Sequence, residues 1–226
     1  MKPVFEKIKT RRCRGILLKG QKLFSFLREI DEYNKGKIPP FYQWVPHRRV
    51  YYQKQTRCYI KVVDEKNWFE STARKYSQFY HRLCEWGIAT PELVAAIDLR
   101  QNSSRQSVVV TREITNALPF HEFLFSNQEE AVKLAGLRQL AQLAAQIHTR
   151  GFYFSMSLPN LYISQNSPLP LSVILLDLEH GKPAGFFAKR RIVRNLRRFQ
   201  GSFLSHLKGK DDYLQVFFDE YKKALN

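Results

Sequence analysis

The chain is short of acidic residues, of cysteine, of glycine where a phosphate-binding loop would need it, and of long apolar runs. Twenty Asp and Glu stand against 37 Lys and Arg, a formal charge of +17 at pH 7. Net charge governs partners more than fold, so the imbalance disfavours cationic partners and predicts a polyanionic one: nucleic acid, an anionic membrane face or a phosphorylated glycolipid. The three cysteines, Cys13, Cys58 and Cys84, are odd in number and lack CxxC spacing. That argues against a disulfide framework and against a zinc site. No apolar run approaches the roughly 20 residues of a membrane span. The basic start is followed by Thr10-Arg-Arg-Cys-Arg14 rather than by an apolar stretch, so no secretory signal is expected and the cytoplasm is the natural compartment.

What is present is enough to build a core. Of 226 residues, 44% are hydrophobic and 14% aromatic, which suits one domain or one pair of closely packed lobes. There is no internal repeat and no low-complexity tract. The first third is basic and irregular, with a helix expected around residues 21–34 and a break at Lys35-Gly-Lys-Ile-Pro-Pro40. Residues 48–53 and 57–63 are aromatic and β-branched runs separated by a short polar turn, and read as a hairpin whose second strand carries Lys61. In residues 71–86 the apolar positions Ala73, Tyr76, Tyr80 and Leu83 recur at helical spacing, and Gly87 supplies the stop. Residues 91–97 and 107–114 read as two further strands joined by a polar turn at 100–105.

Beyond Glu113 the pattern becomes helical. Ser126 and Glu129 have capping-box spacing ahead of an apolar stripe through Val132, Leu137, Leu140, Ala144 and Ile147, which Gly151 ends. Next come a loop, a hairpin-like pair at 161–164 and 173–176, and helices containing residues 189–199 and 213–224. His148, in the last turn of the long helix, reads as a cationic ring complementing the helix dipole rather than as a catalytic group.

This order of elements resembles the protein-kinase-like fold. The stretches Cys58-Tyr-Ile-Lys61, His81-Arg-Leu-Cys-Glu-Trp-Gly-Ile-Ala-Thr-Pro91, Val110-Thr-Arg-Glu-Ile114, Ile147-His-Thr-Arg-Gly-Phe-Tyr153 and Val173-Ile-Leu-Leu-Asp177 resemble the bacterial lipopolysaccharide kinase family, over about residues 45 to 200. That family phosphorylates heptose or Kdo sugars of the lipopolysaccharide inner core. The resemblance implies an α+β, two-lobed fold. Residues 1–115 would form a small N-lobe with an antiparallel sheet and one helix, and residues 116–226 a mostly helical C-lobe. It also implies ATP and Mg²⁺ as cofactors, with Lys61, Glu113, Ile114 and Asp177 at the nucleotide and Asp177, Glu179 and Asn160 at the metal.

The same resemblance exposes gaps. A kinase lysine is held by a helix glutamate, and here that position falls on Tyr76; Glu70 could replace it only if the helix starts earlier. No glycine-rich loop precedes Tyr59, the nearest glycine being Gly36. The catalytic Asp position falls on Met156, within Phe154-Ser-Met156, and a second polar position falls on Leu161. Asn160, one residue away, is either a metal ligand or a turn residue after Pro159. Asp177 lies 21 residues beyond Met156, an interval that suits a metal ligand; a strand-end cap is the plain alternative. Glu179 either assists it or faces solvent.

Finally, Lys189, Arg190, Arg191, Arg194, Arg197 and Arg198 form the outer face of an amphipathic helix, opposite Ile192, Val193, Leu196 and Phe199. With Lys7, Lys9, Arg11, Arg12 and Arg14 they suit an anionic glycolipid or the inner-membrane surface. The leading expectation is a pseudokinase that scaffolds or regulates lipopolysaccharide core assembly, beside a partner enzyme of that pathway. An active sugar kinase with a non-standard loop is the alternative. A nucleic-acid-binding protein ranks last, since no recognised module is present.

Overall fold

The computed structural model describes residues 3–10, 13–21, 23–66, 71–101, 104–164 and 171–226. Glu70, Arg11 and Arg12 lie outside them. Among the described residues the architecture is mixed α+β, with antiparallel sheets and six α-helices. It divides into two compact units, Met1–Arg82 with Pro91–Glu113, and Leu83–Thr90 with Ile114–Asn226.

The first unit is a seven-stranded antiparallel sheet. Its strands are β1 (Phe5–Lys9), β2 (Cys13–Leu18), β3 (Tyr42–Val45), β4 (Arg48–Gln53), β5 (Cys58–Asp64), β6 (Leu93–Gln101) and β7 (Ser104–Arg112), in the order β1-β2-β6-β7-β5-β4-β3. The hairpin β4–β5 stands where the alternating pattern places it. β6 and β7 run further into the expected turn, to Gln101 and Ser104, because Arg100 pairs with Arg105 and Gln101 with Ser104. The basic N-terminal segment is ordered: β1 and β2 form a hairpin, and β2 pairs along β6. Gly15 makes that pairing possible, since a Cβ there would come within 2.1 Å of the Ala96 carbonyl oxygen.

Helix α1 (Leu23–Asn34) covers one face of this sheet. Its Ile30 and Tyr33 are buried with Cys13, Leu17, Tyr51, Cys58, Ile60, Val62, Ile97 and Val110, and the Tyr33 and Tyr51 rings stack 3.9 Å apart. Helix α2 (Thr72–Glu85) begins at Ser71, whose Oγ accepts from the Arg74 N–H at 2.9 Å and donates to Asp98 at 2.7 Å. Because successive residues of a strand point to opposite faces, Asp98 lies on the side of the sheet opposite Ile97. α2 therefore starts on the face that α1 leaves.

The second unit comprises β8 (Ala117–Pro119), α3 (Phe120–Phe125), α4 (Glu130–Thr149), β9 (Phe152–Tyr153), β10 (Leu161–Ser164), β11 (Val173–Leu175), β12 (Lys182–Pro183), α5 (Ala188–His206) and α6 (Asp211–Lys223). β10 lies between β8 and β11, and β9 pairs with β12. The long apolar stripe becomes α4, with Leu137, Leu140, Ala141, Ala144 and Ile147 buried. Its start corrects the expected capping box. The residue before α4 is Glu129, with no side-chain cap, while Ser126 terminates the short α3 by donating from Oγ to the Phe123 carbonyl at 2.7 Å. Phe199, Phe203 and Phe217 are fully buried where α5 and α6 meet, the Phe199 and Phe217 rings lying 4.3 Å apart.

Candidate functional site

Candidate residues lie in each unit: in one strand of the first, and in the loop and hairpin of the second. Lys61 sits mid-strand in β5, directly opposite Val50 of β4 and Val109 of β7. The flanking Ile60 and Val62 point into the core beneath α1, so alternation turns Lys61 to the other face, half-buried on the side where α2 begins. Tyr76 is buried at 4% exposure, a core aromatic of α2 as its spacing predicts.

At the end of β7, the Glu113 N–H donates to the Arg57 carbonyl at 2.7 Å. Its carboxylate accepts from Arg57 Nε at 2.8 Å and from the Tyr52 hydroxyl at 3.1 Å, and the Arg57 hydrogen bond holds that carboxyl below the usual range. Glu113 is thus committed by both amide and side chain to the β4–β5 turn. Ile114, half-buried, opens the second unit.

Residues 154–161 of the second unit form a wall of the core. Phe154 is 4% exposed, Met156 2%, and Leu158 and Leu161 are fully buried. The Leu158 N–H donates to Ser202 Oγ of α5 at 3.1 Å, tying the loop to that helix. Asn160 ends a 3-10 turn, its N–H donating to the Ser157 carbonyl and its side-chain Nδ2 to Ser155 Oγ at 3.0 Å. Its carbonyl accepts from the Leu176 N–H at 2.9 Å, and Leu161 pairs with Leu175. Asn160 and Asp177 therefore flank the same end of the β10–β11 hairpin.

Asp177 leaves β11 in the left-handed region, at φ 51° and ψ 49°, and makes no side-chain capping bond to the 3-10 turn Leu178–His180 that follows. A non-glycine residue in that region is held there by its surroundings and marks a place worth functional attention. Glu179 is buried at 4% exposure, correcting the alternative that it faces solvent; its Oε1 lies 4.0 Å from His180 Nε2.

Beneath the loop lies a network that residue spacing did not reveal. His148 is buried, with Nδ1 2.7 Å from the Tyr221 hydroxyl and Nε2 3.0 Å from Asn195 Oδ1. Asn195 Nδ2 donates to the Phe154 carbonyl at 2.7 Å, which turns its Oδ1 toward the ring. The tautomer follows: Nε2–H donates to Asn195, and Nδ1 accepts from Tyr221. Desolvation lowers the His148 pKa to about 4 and raises that of Tyr221 to about 12. His148 is therefore a neutral brace joining α4, α5 and α6, not the cationic cap its position predicts, because burial outweighs the helix dipole. Asn195 was hidden in the sequence among arginines; only its place between Ile192 and Phe199, on the stripe facing the core, marks it.

In α5, Asn195, Phe199 and Phe203 face inward, whereas Val193 is 47% exposed and belongs to the basic side, not to the apolar face expected for it. Lys189, Arg190, Arg194 and Arg197 line a depression of about 610 Å³ with Val193. Arg198 is exposed on the same helix. Arg191 differs, since its guanidinium donates to the Ala184 carbonyl at 3.1 Å and toward that of Pro183 at 3.5 Å.

Among the described residues no group of three or more His, Cys, Asp and Glu side chains could hold a metal by itself. A divalent ion here would bring ligands with it, as Mg²⁺ does when one or two carboxylates share it with nucleotide phosphates. Asp177 with the neighbouring Asn160 fits that arrangement. Among the same residues no helix is long and apolar enough to cross a membrane. Comparison with individually curated proteins gives no match. The profile of the lipopolysaccharide kinase (Kdo/WaaP) family matches residues 47–221, from before β4 into α6, and the chain belongs to that family.

Proposed function

We propose that this member of a kinase family with a role in lipopolysaccharide core biosynthesis is a pseudokinase: it keeps the means to engage Mg·ATP but lacks those of phosphoryl transfer, and it serves core assembly as a scaffold or regulator. The observation that carries this reading is the loop of residues 154–161. Transfer to a sugar hydroxyl needs a carboxylate within hydrogen-bonding reach of it. The loop offers Met156 at 2% exposure in that position and fully buried Leu161 beyond it, and the amide nitrogen of Asn160 is committed to Ser155.

Lys61 would neutralise nucleotide phosphates and Asp177 would hold the metal, with Asn160 and Glu179 as its neighbours. Glu113 and Ile114 would offer backbone groups to the base, through the Glu113 carbonyl and the Ile114 N–H, since the Glu113 N–H is taken. ATP and Mg²⁺ belong to kinase families generally; the metal, when bound, would screen phosphate charge. The acceptor side of the protein would face an anionic glycolipid or the cytoplasmic face of the inner membrane, next to an enzyme of core assembly.

An active kinase is the second reading, favoured by Asp177 in a conformation that its own capping does not explain. The test is the melting temperature with and without millimolar Mg·ATP, for wild type, Lys61→Ala and Asp177→Ala, alongside transfer of the γ-phosphate to lipopolysaccharide core. Saturation near 100 times the dissociation constant contributes about 2.7 kcal/mol, which raises the melting point of a chain this size by roughly 5 to 10 °C. The expected result is a metal-dependent rise lost in both variants, with no transfer. Transfer abolished by Asp177→Ala would establish the active kinase instead.

A further inference from the structure

Two phenylalanines just ahead of α5 play no part in that reading. Phe186 is 105% exposed and Phe187 64%, the most exposed large apolar side chains among the described residues of the second unit. A single exposed hydrophobe is ordinary, but adjacent aromatics bordering a cationic patch are not. Their mounting is firm. They ride on a 3-10 turn, Gly185–Phe187, entered through Gly185 at φ 57°. The preceding residues are anchored twice, by β12 pairing with β9 and by the Ala184 N–H donating to the Gly151 carbonyl at 2.7 Å. The guanidinium of Arg191 on α5 donates to the Ala184 carbonyl and toward that of Pro183 from the helix side.

We propose that Phe186 and Phe187 form an interfacial anchor that inserts into an anionic lipid bilayer, while Lys189, Arg190, Arg194 and Arg197 hold the lipid phosphates. The occupant follows from charge and shape. The chain carries +17, and the depression lined by those four cations adjoins the aromatic turn in sequence and includes aliphatic Val193. Val193 cannot stack on a nucleobase, and a ring as bare as that of Phe186 projects from its support rather than lying flat as a stacking platform. Both suit a phase that is anionic at its surface and apolar just beneath. The mode differs from an amphipathic helix lying in the interface, because the apolar face of α5 is spent on Phe199 and Phe203 in the core. This inference shares an anionic surface with the proposed function but does not use the nucleotide residues, so the two stand or fall separately.

The test is co-sedimentation of the full chain with vesicles of phosphatidylglycerol mixed with phosphatidylcholine, and with vesicles of phosphatidylcholine alone. Wild type should bind the mixed vesicles and bind the neutral ones far more weakly. The double variant Phe186→Ser, Phe187→Ser should keep its melting temperature and lose about tenfold or more in partitioning for each ring that inserts. Arg190→Glu with Arg194→Glu should lose about fivefold or more per charge and flatten the salt dependence. Unchanged vesicle binding by the phenylalanine variant would overturn insertion. Equal binding to neutral vesicles would overturn the phosphate contacts. Vesicle binding absent while single-stranded RNA binding depends on the same phenylalanines would replace the bilayer with a nucleic acid.

Discussion

Asn160 and Leu176 are joined by a hydrogen bond, so the loop of residues 154–161 and the strand end at Asp177 border one another in the same unit. On one side the side chains are Phe154, Met156, Leu158 and Leu161, all at or below 4% exposure; on the other are a carboxylate held in the left-handed region and a second, buried carboxylate two residues on. In a kinase both sides handle charge. Here the loop side is apolar packing, and the Asp177 side carries two carboxylates. On the proposed reading the two halves of the chemistry are separable, because each is held by different contacts. The loop is braced from below by His148 and Asn195, and the Asp177 carbonyl accepts from the His180 N–H at 3.2 Å.

The severest way to break the contrast is to restore a carboxylate in the loop. Met156→Asp would place a charge at a position 2% exposed, with the Phe154 carbonyl side already taken by Asn195. An uncompensated buried charge costs about 3 to 5 kcal/mol, so urea denaturation should show a loss of that size and no gain of phosphate transfer. A variant as stable as wild type that transfers phosphate would mean that the loop is a site after all.

Next in size is a pH dependence that belongs to the loop's brace alone. Unfolded, His148 takes up a proton near pH 6.5; folded, only near about 4. Between those values the unfolded chain binds the extra proton, so the stabilisation is complete above pH 6.5 and drains away as pH falls toward about 4. The difference is worth on the order of 3 kcal/mol. Stability measured across that range should fall for wild type and fall less for His148→Gln, which keeps hydrogen-bonding capacity but does not titrate. Identical slopes would show that His148 is not the group responsible.

These residues also show what was legible in the sequence. Long periodic segments were: α2 with its stop at Gly87, α4 with its stop at Gly151, and the β4–β5 hairpin follow from spacing because each buries one continuous stripe. The apolar character of Met156 and Leu161 was legible as well, and both are buried in the loop. Short or shared signals were not. β1 and β2 read as irregular because Phe5–Lys9 and Cys13–Leu18 are short and show no clean alternation of apolar and polar residues; β2 is secured by pairing with β6, far away in sequence. Ser126 and Glu129 have capping-box spacing, yet serine also ends helices, and only the Phe123 carbonyl decides which end. The charge of His148 and the role of Asn195 depend on burial by α6, which spacing along one helix does not report.

A smaller effect separates the two residues at the junction. Asn160→Ala removes the hydrogen bond to Ser155 Oγ at 3.0 Å in a half-buried turn, and should cost about 1 kcal/mol. If Asn160 is only a turn residue, the rise in melting temperature with Mg·ATP should survive that change. If the rise disappears, the amide belongs to the metal site and the boundary between the two halves moves one residue into the loop.

The least disruptive change should be the most informative. Asp177→Asn keeps the side-chain shape, and Asn tolerates the left-handed region as well as Asp does, whereas Asp177→Ala adds backbone strain of its own. Because it keeps the side-chain shape, Asp177→Asn should change stability without nucleotide less than Asp177→Ala does. The metal-dependent part of the rise should nonetheless vanish, because an amide is a weaker ligand for Mg²⁺ than a carboxylate. A variant that loses stability by itself but keeps the full metal-dependent rise would reverse the assignment. Asp177 would then be a structural residue like those of the loop beside it, and the contrast between the two sides would dissolve.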